Sequence, residues 1–175
     1  MTGLEMGLIR RRLRRCGFRT YQFHYHSVRR DLAFNAAALA QFTRRLPGDT
    51  IHFVGHSLGG LVIRRMLADF PEPRLGRVVT LGTPHHGSRV ARSLAGKIWG
   101  RWLLGKSAPA LVAPPPLPDP DYPLGVVAGT LPVGAGRLFA ALPEPHDGTV
   151  ARDEAVLAGA AEELSLPVSH TSMVF

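Results

Sequence analysis

The segment of this chain best suited to chemistry is Gly55-His56-Ser57-Leu58-Gly59-Gly60. It follows the apolar run at residues 51–54 and precedes a helix-like stretch at residues 61–68. A strand, a Gly-x-Ser-x-Gly turn and a helix in this order form a nucleophile elbow, which exposes the serine at the end of the strand. Such a serine attacks a carbonyl carbon when a base removes its proton. The pattern therefore predicts acyl chemistry at Ser57.

Small residues flank this serine because the predicted turn is sharp. We expect a side chain at Gly55 or Gly59 to collide with neighbouring backbone. The alternative is an ordinary turn, in which glycine and serine are both common. The flanking strand and helix favour the elbow, since context is what supports such a motif.

A serine nucleophile also needs a base and a group that orients the base. The histidines downstream of Ser57 are His85, His86, His146 and His170. Of these, His170 lies in a late segment, Leu166-Pro167-Val168-Ser169-His170-Thr171, where a proline-containing loop can bring it over the elbow. The alternative for His170 is an ordinary surface histidine.

The leading candidate for the orienting acid is Asp147, in His146-Asp147-Gly148-Thr149-Val150. The glycine beside it permits a turn that exposes the carboxylate toward His170. Asp-Gly is also a strong signal for a plain β-turn. Asp153 is the reserve acid, and Asp119 and Asp121 lie earlier in a proline-rich stretch.

Strand-like and helix-like segments alternate along the chain. The order predicts an α/β fold with a mainly parallel sheet flanked by helices, in one domain over residues 1–175. Chemistry in such a fold lies at the carboxyl ends of the strands, where Ser57 stands. The predicted helices cover residues 3–16, 30–46 and 58–69, the first amphipathic and packed on the sheet, and the predicted strands cover residues 18–25, 51–54, 77–82 and 124–130.

The stretch at residues 88–122 differs from the rest. Apolar residues keep helical spacing at first, and a proline-rich run then covers residues 109–123. Two interpretations stay open: a cap or lid over the site, or a sheet-covering helix followed by a loop. Four large side chains in it either face an apolar substrate or a membrane, or belong to the core: Trp99, Trp102, Leu103 and Leu104.

Composition sets further bounds on function. The chain has 175 residues, a net charge of +8 and 21 basic residues, of which only Lys97 and Lys106 are lysine. The arginines are spread along the chain apart from one cluster at residues 10–15, and no nucleic-acid motif accompanies them, so we expect no nucleic-acid partner. No apolar run reaches the length of a membrane span. The single cysteine, Cys16, excludes an internal disulfide, and without a signal-peptide pattern at the start a cytoplasmic location is the default.

Three segments together resemble a bacterial α/β-hydrolase of the lipase and esterase type. They are residues 55–60, then Leu81-Gly82-Thr83-Pro84-His85-His86-Gly87-Ser88, then residues 147–150 with His170. The resemblance implies a nucleophile at Ser57, an acid at Asp147 and a base at His170, in the family's order of serine, acid and histidine. It also implies that the backbone N–H of Leu58 contributes to the oxyanion hole, and that His56 fills only the variable position of the elbow.

One part of that family's machinery is missing from the sequence. The second oxyanion donor usually comes from a loop that follows an earlier strand and often carries His-Gly. By the resemblance, this strand would lie between the predicted strands at residues 18–25 and 51–54. Two explanations stay open: a true start upstream of residue 1, or a genuinely truncated relative in which the two flanking strands pair directly.

The sequence therefore predicts a serine hydrolase of carboxylic esters that acts through a Ser-His-Asp triad and an acyl-enzyme. Weak activity or none is expected for residues 1–175, because a lost oxyanion donor typically lowers the rate about a hundredfold to a thousandfold. The alternatives are an acyltransferase on the same scaffold and a non-catalytic hydrolase-like domain. No metal or organic cofactor is expected; the expected substrate is a small-molecule or lipid ester, with peripheral membrane contact and oligomeric state left open.

Overall fold

The computed structural model describes residues 6–175, except for the side chain of Arg137. Two helices precede the first strand of this part, and helices then lie between each pair of consecutive strands. The strands are β1 (Ile51–His56), β2 (Leu75–Leu81), β3 (Leu124–Gly129) and β4 (Glu162–Leu166). The α-helices are α1 (Gly7–Arg15), α2 (Leu32–Arg44), α3 (Leu58–Asp69), α4 (Arg89–Ala95), α5 (Ile98–Leu104), α6 (Ala108–Val112) and α7 (Arg152–Ala155).

The four strands form one parallel sheet in the order β1-β2-β3-β4. Parallel strands of this kind need helices on the sheet faces, and the chain supplies them between the strands. The predicted fold class, a parallel sheet flanked by helices, is confirmed. The carboxyl ends of all four strands lie at one edge of the sheet, and Ser57 follows the end of β1 directly.

The core lies between the sheet and the helices α2 and α3. Its largest fully buried side chains include Leu61 and Met66 of α3, Val78 of β2 and Leu124 of β3. α2 begins at a side-chain cap, where the carboxylate of Asp31 accepts a hydrogen bond of 2.8 Å from the backbone N–H of Phe34. This core fixes β1 and α3, the two elements that carry the elbow.

β4 is a strand that the sequence analysis did not predict. Its residues begin Glu-Glu, and the first four are exposed, which is typical of a short edge strand rather than a buried one. It pairs with β3 from Gly125–Glu162 to Gly129–Leu166. β4 matters for the site because it ends four residues before His170.

The predicted strand at residues 18–25 is not a strand in the structure. This segment runs without regular secondary structure, and within residues 6–175 no strand pairs with β1 on the side away from β2. Aromatic β-formers raise strand propensity, but a strand also needs a hydrogen-bonded neighbour. The alternative in which the segments at 18–25 and 51–54 pair directly is therefore wrong.

A groove lies where that pairing was expected. It has a volume of about 590 Å³ and runs between the segment at residues 18–25, α1 and the free edge of β1. Ile9 and Leu13 of α1 line it, and α1 has no fully buried residue, so the expected close packing of this helix on the sheet is wrong. α1 is held instead by the segment that follows it, where Arg10 donates to Gln22 and Arg14 donates to Thr20.

The stretch at residues 88–122 contains the three short helices α4, α5 and α6, followed by irregular chain up to β3. α4 packs through Val90, Ala91 and Leu94, which are buried. α5 is mostly exposed. This stretch leaves the sheet after β2 and returns at β3, so its path begins at the edge that carries Ser57.

Candidate functional site

Ser57 stands in the turn between β1 and α3 with φ of 54° and ψ of −126°. Within residues 6–175 it is the single non-glycine residue with positive φ. A backbone conformation of this kind costs on the order of 1–3 kcal/mol and persists where the surrounding structure enforces it. The elbow predicted from the sequence is therefore present in the backbone geometry.

The contacts around the elbow explain two of its glycines. A Cβ at Gly55 would lie 2.7 Å from the backbone nitrogen of Gly60, and a Cβ at Gly60 would lie 2.1 Å from Oγ1 of Thr83. Thr83 also donates a hydrogen bond of 2.9 Å to the carbonyl of Ser57. At Gly59, in contrast, the nearest atom to an added Cβ is the Tyr25 hydroxyl at 3.7 Å, an ordinary contact. The expected collision at Gly59 is wrong, and Gly60 is the second position that needs glycine.

Asp147 is almost fully buried, with 1% of its surface exposed. Its Oδ1 accepts hydrogen bonds from the backbone N–H groups of Thr149 at 2.9 Å and Val150 at 2.7 Å. Its Oδ2 lies 2.7 Å from Nδ1 of His170. The Asp-Gly turn and the carboxylate directed at His170 were alternative interpretations of the sequence, and the structure contains both together.

The loop that carries His170 is held against Asp147 a second time. The backbone N–H of His170 donates a hydrogen bond of 2.8 Å to the carbonyl of Asp147. Because Nδ1 faces the carboxylate, Nε2 is the ring nitrogen left for a substrate or a nucleophile. This is the arrangement in which a carboxylate fixes the orientation and tautomer of a histidine base.

His56 connects this pair to the elbow, a contact that the sequence analysis did not predict. Its Nε2 lies 2.8 Å from the carbonyl oxygen of His170, and the two imidazole rings are 4.8 Å apart between centroids. His56 is the residue before Ser57, so the ring of His170 lies beside the elbow. The assignment of position 56 as merely variable is therefore incomplete, and no sequence signal in the elbow motif marks the contact.

Gly82 makes room for the acid and histidine pair. It follows β2 with φ of 52°, and a Cβ there would lie 3.0 Å from both Oδ2 of Asp147 and Nδ1 of His170. The glycine lies within the segment at residues 81–88, which resembles lipases and esterases. A larger residue at this position would push on both Asp147 and His170.

The backbone N–H of Leu58 lies at the start of the helix that follows the elbow. Leu58 is the first residue of α3, and the first N–H groups of a helix have no partner within it. The amino-terminal end of a helix also carries partial positive charge, which favours a developing oxyanion. Its position directly after Ser57 is the one expected for an oxyanion donor.

The other candidate residues lie elsewhere. Asp153, the reserve acid, is exposed and pairs with Arg89 at 2.8 Å. Asp119 and Asp121 are exposed in the proline-rich stretch. His86 contacts the carbonyl of Val156 at 2.9 Å, and His146 accepts from the N–H of Gly148 at 3.0 Å.

His85 belongs to a buried polar layer between β2 and α3. Its Nε2 lies 3.1 Å from Oγ1 of Thr80 and its Nδ1 lies 3.4 Å from the guanidinium of Arg64, which also donates to the carbonyl of Pro118 at 3.1 Å. Burial, followed by the charge of Arg64, lowers the pKa of His85 from 6.5 to about 3. His85 is therefore neutral in the folded protein near neutral pH and joins β2 to α3, while Arg64 joins α3 to the stretch before β3.

The groove beside β1 reaches the elbow. Gly55, His56 and Gly59 line it together with apolar residues of α1, α2 and the segment at residues 18–25. Over the described part of the chain, no three His, Cys, Asp or Glu side chains are grouped so as to hold a metal ion. Within the same residues, no helix has the length and apolar character that crossing a bilayer requires.

A family model for the alpha/beta hydrolase fold matches residues 11–114. A search of curated protein sequences finds no match. Among solved structures, the mature lipase BlEst2 of Bacillus licheniformis is similar at a TM-score of 0.70 and 24% identity, over 87% of this chain and 72% of that one. In its propeptide form the same lipase is covered over 39% of its length.

Two further structures share the fold at lower identity. A metagenomic carboxyl esterase, MGS0156, aligns at a TM-score of 0.61 and 21% identity, over 81% of this chain and 52% of that one. Phospholipase PlaB of Legionella pneumophila aligns at a TM-score of 0.61 and 16% identity, over 86% of this chain and 39% of that one. At these identities the solved structures show a common fold, and the chain spans about half or less of the last two.

Proposed function

We propose that this chain, which belongs to the α/β hydrolase family, is a serine hydrolase of carboxylic esters. The observation that carries the proposal is the 2.7 Å hydrogen bond between Asp147 and Nδ1 of His170 beside an elbow whose serine has φ of 54°. A nucleophile, a histidine and a buried carboxylate then share one edge of the sheet. These are the three groups that an acyl-enzyme mechanism needs.

In the proposed reaction, Oγ of Ser57 attacks the acyl carbonyl while Nε2 of His170 takes the hydroxyl proton. Asp147 holds the ring through Nδ1–H and stabilises the imidazolium that forms. Collapse of the tetrahedral intermediate breaks the ester bond, and His170 returns the proton to the departing alcohol. Water then attacks the acyl-enzyme with His170 again as base, which releases the acid and regenerates Ser57.

The backbone N–H of Leu58 is the proposed oxyanion donor. Within residues 6–175 we assign no second donor, because the usual loop would follow a strand on the side of β1 away from β2, and no strand lies there. Loss of one such donor lowers kcat about a hundredfold to a thousandfold. We therefore propose that residues 1–175 by themselves hydrolyse esters slowly.

The proposed substrate is a small-molecule or lipid ester. The stretch at residues 88–122 leaves the sheet at the same edge as Ser57, which supports its proposed role as a cap over the acyl group.

A fluorophosphonate probe tests the nucleophile, because it reacts with an activated serine even when turnover is slow. We expect the wild-type chain to be labelled at Ser57, and we expect Ser57→Ala to abolish labelling. Ser169→Ala is the matched control, since Ser169 lies beside His170 but its hydroxyl bonds to Ser172 at 3.0 Å. Labelling that persists in Ser57→Ala contradicts the proposal.

Two outcomes distinguish the alternatives. Hydrolysis of a short p-nitrophenyl ester, with a slower rate of acid release when an acceptor alcohol is added and a new ester as product, favours an acyltransferase. A folded chain that neither labels nor turns over favours a non-catalytic hydrolase-like domain. Over the described part of the chain, the edge of β1 away from β2 is unpaired, and this observation supports the second alternative.

A further inference from the structure

The helix α5 exposes its large apolar residues and buries a glycine. Ile98 and Trp102 are each 84% exposed and Leu103 is 61% exposed, whereas Gly100 is buried. A helix on a globular protein normally turns its apolar side inward. The reverse arrangement in α5 means that its apolar side is available to a partner.

Close backbone contacts hold α5 in this orientation. A Cβ at Gly100 would lie 2.1 Å from the carbonyl oxygen of Leu94, and a Cβ at Gly105 would lie 2.2 Å from that of Val28. Lys106 also donates its backbone N–H to the carbonyl of Val28 at 2.8 Å. Since only glycine fits against these backbones, the small side of α5 faces the protein and the large side faces out.

The exposed surface continues beyond α5. The ring of Trp99, 51% exposed, meets that of Phe139 at 5.7 Å, and the neighbouring Leu138 is 80% exposed. We call this surface the α5 face. Contiguous apolar surface of this kind commonly marks an interaction site. Its members are Ile98, Trp99, Trp102, Leu103 and Leu138.

The charged residues in the stretch of sequence that contains α5 are all basic. Lys97, Arg101 and Lys106 are exposed along α5 and at its ends, and no acidic residue lies between Glu72 and Asp119. Lys97 lies 5.4 Å above the ring of Trp99. Aromatic rings and aliphatic side chains flanked by basic residues match the boundary of an anionic bilayer, where the rings enter the headgroup region and the basic groups meet lipid phosphates.

The α5 face belongs to the edge of the sheet that carries Ser57. α4 and α5 follow the carboxyl end of β2, and the turn with Leu138 follows the carboxyl end of β3. Gly136 in that turn packs against the loop after Asp147, where an added Cβ would lie 2.4 Å from the carbonyl of Gly148. A surface that contacts the α5 face therefore meets the protein on the side of the candidate site.

We propose that the α5 face is a docking surface for a membrane that contains anionic lipid. The apolar side chains enter the interface, and Lys97, Arg101 and Lys106 pair with lipid phosphates. Docking needs no chemistry at Ser57, so it stands or falls separately from the proposed reaction.

Tryptophan fluorescence tests the proposal directly, because Trp99 and Trp102 are the only two tryptophans in the chain. The probe is a vesicle of phosphatidylcholine with about 30% anionic phosphatidylglycerol. We expect these vesicles to shift the emission to the blue. We expect the same vesicles to protect the emission from acrylamide. Ser57→Ala should respond like the wild type.

Variants separate the apolar and the charged contributions. In vesicle co-sedimentation, Trp102→Ser is expected to weaken partitioning about tenfold, the effect of withdrawing one large side chain from the interface. Lys97→Gln and Lys106→Gln are each expected to weaken binding to the anionic vesicles about fivefold. Phe34→Ser is the matched control, since Phe34 is an exposed aromatic residue, 48% exposed, on α2.

Three results would overturn the proposal. The first is an unchanged emission spectrum with anionic vesicles. The second is a loss of binding in Phe34→Ser as large as that in Trp102→Ser. The third is equal binding to vesicles of pure phosphatidylcholine, which would remove the assigned role of the basic residues.

Discussion

The two sides of β1 differ in how the strand is paired. On one side, β1 pairs with β2 in parallel from Phe53–Val78 to His56–Leu81, and the sheet continues to β4. On the other side lies a groove of about 590 Å³, bounded by a segment without regular structure. Ser57 follows β1 and therefore lies between these two sides. We call the side that contains β2, β3 and β4 the ordered half.

The difference shows which parts of a hydrolytic site depend on sheet pairing. Loops that follow β2, β3 and β4 bring together Gly82, Asp147 and His170, and each is fixed by hydrogen bonds or close contacts. A donor that had to come from beyond the free edge of β1 has no such support in the described residues. The base and acid are thus organised independently of the oxyanion donor.

The largest change in kcat is expected at Asp147, which lies on the side of β1 that pairs with β2. Asp147→Asn is expected to lower kcat about ten-thousandfold, because the amide no longer holds His170 in the tautomer that accepts the serine proton. The fold is expected to survive, since Oδ1 of the amide still accepts from Thr149 and Val150. Ester hydrolysis at saturating substrate measures the effect, with circular dichroism as a check on folding.

Asp153→Asn is the control for this change. Asp153 is the reserve acid of the sequence analysis, and it pairs with Arg89 on the surface. It should retain wild-type kcat. A larger loss in Asp153→Asn than in Asp147→Asn would show that the wrong carboxylate has been assigned.

The side chains on the two sides of β1 are expected to contribute differently to the free energy of unfolding. Leu61→Ala is expected to lower the free energy of unfolding by about 3 kcal/mol, because Leu61 is fully buried against the sheet and leaves a cavity. Ile9→Ala in the groove wall should cost less than about 1 kcal/mol, since its side chain is already partly hydrated. Urea unfolding measures both, and equal losses would mean that the groove wall is as tightly packed as the core.

The strand, turn and helix around Ser57 follow from local sequence patterns. The elbow lies between a buried strand and a helix with its own core contacts, and both signals are local. Asp147 and His170 are 23 residues apart, yet the resemblance to a known order of catalytic residues links them. These predictions depended on residue type and chain order, which a sequence contains.

The remaining features depend on neighbours that no local pattern specifies. Residues 18–25 have strand propensity but no hydrogen-bonded partner, so the predicted strand is absent. β4 begins with two glutamates at an exposed edge and was missed for the opposite reason, since pairing with β3 creates it. The contact of His56 with the carbonyl of His170 spans 114 positions and has no sequence signature.

The buried layer at His85 belongs to the ordered half and predicts a pH effect. The pKa of His85 is lowered to about 3 by burial, so between pH 6.5 and about 3 the unfolded chain binds the proton more readily. The contribution of His85 to the free energy of unfolding is fully present above pH 6.5. It decreases as the pH falls through this range, by about 1.4 kcal/mol per pH unit. His85→Gln should remove that contribution to the slope when unfolding free energies are compared from pH 6.5 down to pH 4.5.

The matched control for the pH effect is His86→Gln, at the exposed neighbouring position. It should retain the wild-type slope. If His85→Gln retains the wild-type slope as well, His85 is not held neutral by burial between β2 and α3.

The smallest expected effect lies at the boundary itself, where His56 joins the two halves. His56→Phe keeps a ring beside His170 but loses the 2.8 Å contact to its carbonyl oxygen. One such hydrogen bond contributes about 1 kcal/mol, so we expect kcat to fall about fivefold while KM is unchanged. A positioning role predicts this split, since the substrate still binds but His170 spends less time aligned with Ser57.

His52→Phe is the control, because His52 is on the same strand and accepts from the N–H of Arg77 at 2.9 Å, far from the elbow. Equal losses in the two variants would mean that β1 tolerates no change of histidine, and that the contact at position 56 has no special part in aligning the base.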